Sequence, residues 1–310
     1  MVSLVEDYVD YRRQLGFALE SPARRLLGFA RFADRIGHQG PITQELALRW
    51  ARSAQRAGPI TATGRLQILR PFAKYCLQFD SATEISPPSL CGPGYRRLTP
   101  HIYSDEELNA LLAAARQLTP AGGLRPATCA TVFGLLAATG LRISEAVALL
   151  RADVNLETSV LTIRQTKFRK SRLVPIHPTT AEELRRYARF RDRLLPTAKA
   201  AAFFLSDHSQ PTNYRQFQHA FAGLRSQLGW RARGGHAAPR LHDLRHGFIC
   251  RCLLRWYQQG VNVDNAMLSL STYVGHTQIS DTYWYVTAIP ELMAIAGERF
   301  ERFAQGDVHD

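Results

Sequence analysis

The 310-residue chain is 45% hydrophobic, which is enough to bury a core and excludes wholesale disorder. Its 39 basic and 26 acidic side chains leave +13, spread as +6 over residues 1–100 and +7 over the rest, which suits a polyanion gripped from two sides. No apolar run approaches membrane-spanning length, no secretory signal opens the chain, and Cys76, Cys91, Cys129, Cys250 and Cys252 contain no C-x-x-C pair. A soluble, reduced, cytoplasmic protein is therefore expected, with no membrane partner.

In chain order, residues 1–82 read as a basic bundle of four amphipathic helices. Ser3 starts the first, which Gly16 ends; the second runs from Ser21-Pro22 to Gly37; Thr43 starts the third, which stops before Gly58-Pro59. The fourth spans Thr61 to Phe79, with Pro71 expected to kink or split it. Residues 83–100, with S-P-P-S-L-C-G-P-G at their centre, read as an interdomain linker. A second domain, 101–310, opens with a capping box at Ser104–Glu107. A buried helix follows from Pro126 to Ala138, closed by Gly140. Alternation at Val160–Gln165 and Arg172–Ile176 predicts a hairpin with Lys167–Lys170 at its turn. Further helices are expected at Thr180–Leu195, Thr212–Leu228, His242–Gln258, Asp264–Tyr273 and Pro290–Phe303. The fold class is mainly α with a small antiparallel β-sheet.

The chemistry concentrates in a few short stretches. H-D-L-R-H runs from His242 to His246, V-G-H ends at His276, and Tyr285 follows; upstream lie Arg142 in T-G-L-R-I-S-E and Lys167 in T-K-F-R-K-S-R. His242 and His246, one turn apart, imitate the zinc-hydrolase motif, with His276 as a third ligand. Arg245 between them disfavours a divalent metal, because a fixed cation repels it. Around a phosphodiester the same residues make sense. His242 and Arg245 share a helix face, and Arg142 follows a glycine helix stop. Two guanidiniums could then offset charge on the non-bridging oxygens without a metal ion. Lys167 is one of only four lysines, and an ammonium can give up a proton where a guanidinium cannot. Arg142 can instead pair with Glu145, and His246 can be a core histidine behind the site.

These motifs, in this order, resemble the tyrosine recombinase (phage integrase) family over most of residues 100–300. The N-terminal half resembles the family's helical, SAM-like core-binding domain only in size, charge and helicity. The resemblance implies a metal- and cofactor-independent DNA strand transferase of mobile elements. In it Arg142 and Arg245 clamp the scissile phosphate, and His242 and His276 hydrogen-bond it and assist proton movement. Lys167 protonates the leaving 5′-oxygen, and Tyr285 attacks to form a 3′-phosphotyrosyl link. Tyr283 competes for the nucleophile role, and spacing from His276 favours Tyr285. The implied partners are double-stranded DNA at specific core sites and further copies of the chain, a tetramer in the synaptic complex, joined through the C-terminal helix. The alternatives are a type IB topoisomerase-like nicking-resealing enzyme, a catalytically inert DNA-binding protein, and a zinc hydrolase.

Overall fold

A computed structural model describes residues 1–54, 58–88, 90–92, 94, 97–164 and 171–288, together with 293, 294, 297 and 301. The chain divides into two compact units, Met1–Arg97 and Leu98–Asp310. No helix among the described residues is long and apolar enough to cross a membrane.

The first unit holds α1 (Val2–Gln14), α2 (Glu20–Arg35), α3 (Gln44–Arg52) and α4 (Pro59–Cys76). Thr43 caps α3 by accepting from Leu46 N, as expected, whereas Ser3 lies inside α1 and makes no cap. Their apolar faces meet at Phe29, which packs edge-on against Trp50 and Phe72 at ring-centre distances of 5.3 and 6.4 Å. Pro71 does not split α4. The carbonyl that it leaves without an amide belongs to Gln67, one turn earlier on the exposed side, where water can satisfy it. The start of the expected linker is tied to the bundle. Glu84 N donates to Ile42 O at 2.8 Å, Arg70 Nε donates to Ser86 O at 2.8 Å, and Thr63 Oγ1 donates to Gly92 O at 3.4 Å.

The second unit starts with α5 (Asp105–Arg116), whose Ser104–Glu107 capping box forms reciprocally, and the buried α6 (Leu124–Thr139). A short helix, α7 (Ile143–Val147), leads to the three-stranded antiparallel sheet β1 (Val154–Asn155), β2 (Val160–Ile163) and β3 (Arg172–Pro175). The predicted hairpin is β2–β3, with Leu161 opposite Val174. Two-residue β1 is too short to leave an alternating pattern. The hairpin turn, with Lys167 and Lys170, lies outside the described residues. Helices α8 (Pro178–Leu194), α9 (Tyr214–Gln227), α10 (Asp243–Gln258), α11 (Val263–Val274) and α12 (Ser280–Ala288) complete the unit. Most of the expected helix at Pro290–Phe303 also lies outside the described residues. One core centres on Phe133, Phe204, Phe217 and Leu161. A second joins α10, α11 and α12 through Ile249, Leu253, Met267, Val274 and Tyr285.

Gly140 places the chemistry. It ends α6 in the left-handed region at φ 63°, and an added Cβ would lie 2.5 Å from Phe248 Cδ1 on α10. A side chain there would meet both backbone strain and overpacking. Gly140→Ala should lower stability by about 2 kcal/mol, seen as a depressed thermal midpoint; an unchanged midpoint would refute the close approach.

Candidate active site

Three arginines and one carboxylate form the floor of the site. Arg142 precedes α7, where its amide and Nη1 donate to Glu145 at 3.0 and 2.8 Å. Arg172, the first residue of β3, donates to the same carboxylate through Nη1 at 3.1 Å and Nη2 at 2.8 Å. Burial works to raise the pKa of the Glu145 carboxyl. The Arg172 guanidinium, helped by Arg142, overrides this and holds it below the ordinary carboxylate range. Both arginines also reach the C-terminal end of α11. Arg172 Nε donates to Tyr273 O at 2.8 Å, and Arg142 Nη2 to Gly275 O at 2.8 Å. Cations at a helix C-terminus satisfy its orphan carbonyls and offset its dipole. Gly275 is needed for space as well as for its φ of 71°: a Cβ there would come within 2.6 Å of Arg172 Nη1.

Arg245, on the first turn of α10, is 2% exposed and donates to Gly140 O at 2.6 Å. Its Nη2 is buried and has no hydrogen-bond partner among the described residues. A buried, unsatisfied guanidinium nitrogen is costly, so the site is built for an acceptor. Burial and then Arg142 lower the pKa of Arg245 to about 10, still charged at neutral pH. His242 flanks the start of α10. Crowding by protein, then the Arg245 and Arg240 guanidiniums, lower its pKa to about 4. Since His242 keeps an exposed edge that limits desolvation, the guanidiniums carry more of this shift than burial alone would suggest.

Tyr285 on α12 is 3% exposed, and its hydroxyl lies 2.5 Å from His246 Nδ1. His276 stacks nearly parallel to the Tyr285 ring, with centres 6.3 Å apart, and its Nδ1 is 2.7 Å from Thr282 Oγ1. Tyr283 faces elsewhere: it is exposed and donates to Asp264 Oδ1 at 3.1 Å. Residues two apart on a helix diverge, which is why the two phenols separate. Among the described residues, no group of three or more His, Cys, Asp or Glu is placed to hold a metal ion.

The family model described as the phage integrase family matches residues 102–291. An integrase/recombinase of Sinorhizobium fredii, y4rB, is 40% identical over 96% of each chain. The chain belongs to the phage integrase family. The tyrosine recombinase XerD of Xanthomonas axonopodis pv. citri is 32% identical over 91% of this chain and 92% of its own. Among solved structures, the Tn1549 transposon integrase in complex with transposon right end DNA aligns with a TM-score of 0.66, at 16% identity, over 98% of this chain and 99% of that one. The XerH site-specific recombinase bound to difH substrate aligns with a TM-score of 0.60, at 16% identity, over 86% and 75%. The fold of this integrase-family chain is thus the one those neighbours share, mainly helical with a small antiparallel sheet.

The structure brings Arg142, Arg245 and His242 close enough to act on one another electrostatically, and Arg245 also senses Tyr285. It adds Arg172, which sequence reasoning passed over, and His246, which that reasoning weighed only as a zinc ligand or a core histidine. Arg172 read as a strand residue, and nothing local signals its reach across more than 100 positions to α11. For His246 the signal was its place four residues after His242, discounted there as core. Glu145→Gln removes the charge that Arg142 and Arg172 share, and should cost about 3 kcal/mol at neutral pH. The Glu145 pKa is depressed on folding, so its contribution is present above the unfolded carboxylate pKa and fades as pH falls through the folded one. The gap between wild type and variant should therefore narrow in acid; a gap independent of pH from 7 to 3 would contradict the bridge.

Proposed function

We propose that this tyrosine recombinase cuts and rejoins double-stranded DNA at specific core sites through a covalent 3′-phosphotyrosyl intermediate, serving a mobile element. One observation carries this reading: the buried Nη2 of Arg245, without a hydrogen-bond partner among the described residues and set beside Arg142 and His242, is a preformed donor for a phosphate oxygen. Guanidiniums fixed in a low-dielectric floor stabilise charge on phosphoryl oxygens without reorganising at the moment of reaction. In this scheme Arg142 and Arg245 clamp the scissile phosphate, with His242 and His276 hydrogen-bonding it. Tyr285 Oη bonds to phosphorus as the bond to the 5′-oxygen breaks, and Lys167 gives that oxygen a proton. The phosphotyrosyl link conserves bond energy, so a new 5′-hydroxyl can reseal the strand without a nucleotide cofactor.

Residues 1–82 serve in this reading as the DNA-gripping domain. Arg24, Arg31 and Arg35 lie seven and four positions apart on the exposed side of α2, a spacing that tracks one helix face and suits a phosphate backbone. Pairing of two recombination sites calls for four copies of the chain in the synapse.

The first test is to incubate the protein with a pool of random-sequence duplexes, isolate SDS-resistant adducts, and sequence the attached DNA. Tyr285 should carry the DNA, and the recovered sequences should share a core. Tyr285→Phe should bind the recovered duplex normally yet form no adduct; an adduct persisting through Tyr283 would refute the assignment. Lys167→Ala should slow cleavage by about a hundredfold or more, and a 5′-thio leaving group should restore it because sulfur departs unprotonated. Cleavage should survive EDTA undiminished, whereas a divalent-metal requirement would overturn the guanidinium clamp.

A further inference from the structure

Tyr285 Oη lies 2.5 Å from His246 Nδ1, a residue for which the phosphate clamp has no use. His246 directly follows Arg245 on the first turn of α10. Its ring stands perpendicular to that of His242 at a centre distance of 4.7 Å, and meets Trp284 edge-on at 6.3 Å. Packing on two sides fixes the imidazole, so its Nδ1 is held toward the phenol. His276 is the other histidine against the Tyr285 ring, and its Nδ1 is already engaged with Thr282 Oγ1. Resting on the assignment of Tyr285 as nucleophile, we infer that His246 is a further catalytic residue, whose Nδ1 accepts the phenolic proton as Tyr285 Oη attacks phosphorus. The step balances. The O–H bond of Tyr285 breaks, its proton passes to Nδ1 of a neutral His246 already protonated on Nε2, and its electron pair forms the O–P bond. The 5′-oxygen leaves with a proton from Lys167. On resealing, the imidazolium returns its proton to the departing phenolate.

The surroundings of His246 couple this proton transfer to DNA. Burial, then His242, Arg240, Arg245 and His276, depress its proton affinity and keep it neutral. On α10 the facing groups are His242 and Arg245. Arg240 and Asp243 sit at its start, paired through Arg240 Nη2 and Asp243 Oδ1 at 2.7 Å; His276 precedes α12, and α12 brings Tyr285. Among the described residues the one carboxylate here, Asp243, is spent on Arg240, so the cations prevail, the imidazole is a weak base and Tyr285 stays protonated. A phosphodiester entering beside Arg245 and His242 brings a negative charge into that field and strengthens the base. The nucleophile is thereby activated by the arrival of the group it attacks.

The test is single-turnover adduct formation on a nicked form of the duplex recovered above. His246→Asn keeps a hydrogen-bonding group near the Nδ1 position but has no basic nitrogen. It should cleave about a hundredfold more slowly or worse, with DNA binding and thermal midpoint retained, and its rate should climb steeply with pH as hydroxide replaces the imidazole. Replacing Tyr285 biosynthetically by a fluorinated, more acidic tyrosine should return at least tenfold of that loss. Wild-type cleavage by His246→Asn, or a deficit that neither alkali nor the acidic phenol relieves, would overturn the inference and leave His246 a packing residue. Should His246→Asn fail to fold, fluorinated tyrosine in the otherwise unchanged enzyme decides the matter. Its cleavage rate should depend less on pH than that of the parent, and an identical profile would overturn the proposal. Failure of the parent protein to form any adduct would instead remove the recombinase reading itself.

Discussion

The Glu145 carboxylate is the interaction on which the rest of the site depends. It is buried, and it joins an arginine before α7 to an arginine at the head of β3. A lone buried carboxylate would be expensive, and two guanidiniums this close would repel one another. Each problem is the solution of the other. The same two guanidiniums cap the carbonyl end of α11, so helix, strand and turn are held to one point by charge-assisted hydrogen bonds.

From that point the geometry of the remaining groups follows. Gly140 turns the chain out of α6 without a side chain, which lets α10 approach until Arg245 donates to the Gly140 carbonyl. The cap and first turn of α10 then supply His242, Arg245 and His246 together. Helix α12 brings Tyr285 to them through the apolar contacts it makes with α10 and α11. A packing core and the candidate active site therefore share one tyrosine. Interiors are close-packed and deform little, so the phenol is located by the same forces that stabilise the domain.

Much of this was legible in the sequence because the signals are local. Gly140 as a helix stop, Ser104–Glu107 as a capping box and the alternation of β2 and β3 each depend on a few neighbouring residues, and each stands where expected. The expectation that Tyr283 and Tyr285 point apart rested on local helical spacing too, and the two phenols do diverge. What escaped was long-range or marginal. Arg172 bonds to α11 about a hundred residues away, β1 is two residues long, and Pro71 is tolerated because the carbonyl it leaves unpaired faces outward. Ser3 failed as a cap because α1 begins before it. His246 was hardest to read: a histidine's neighbours in space decide whether it packs, ligates or titrates, and its phenolic partner lies 39 positions downstream.

The floor of the site also has a definite electrical valence. Arg142, Arg172 and Arg245 face a single carboxylate, Glu145, while Arg240 and Asp243 cancel one another and His242 and His246 are held neutral by their surroundings. Two uncompensated positive charges remain among the described side chains. In the proposed reaction a phosphodiester would bring one negative charge, and transfer of the Tyr285 proton to His246 would conserve the total while placing two negative charges on the five-coordinate phosphorus and a further positive one on the imidazole. Opposite charges would thus be drawn apart inside one pocket, each beside groups that complement it, which favours the fleeting species over the resting strand.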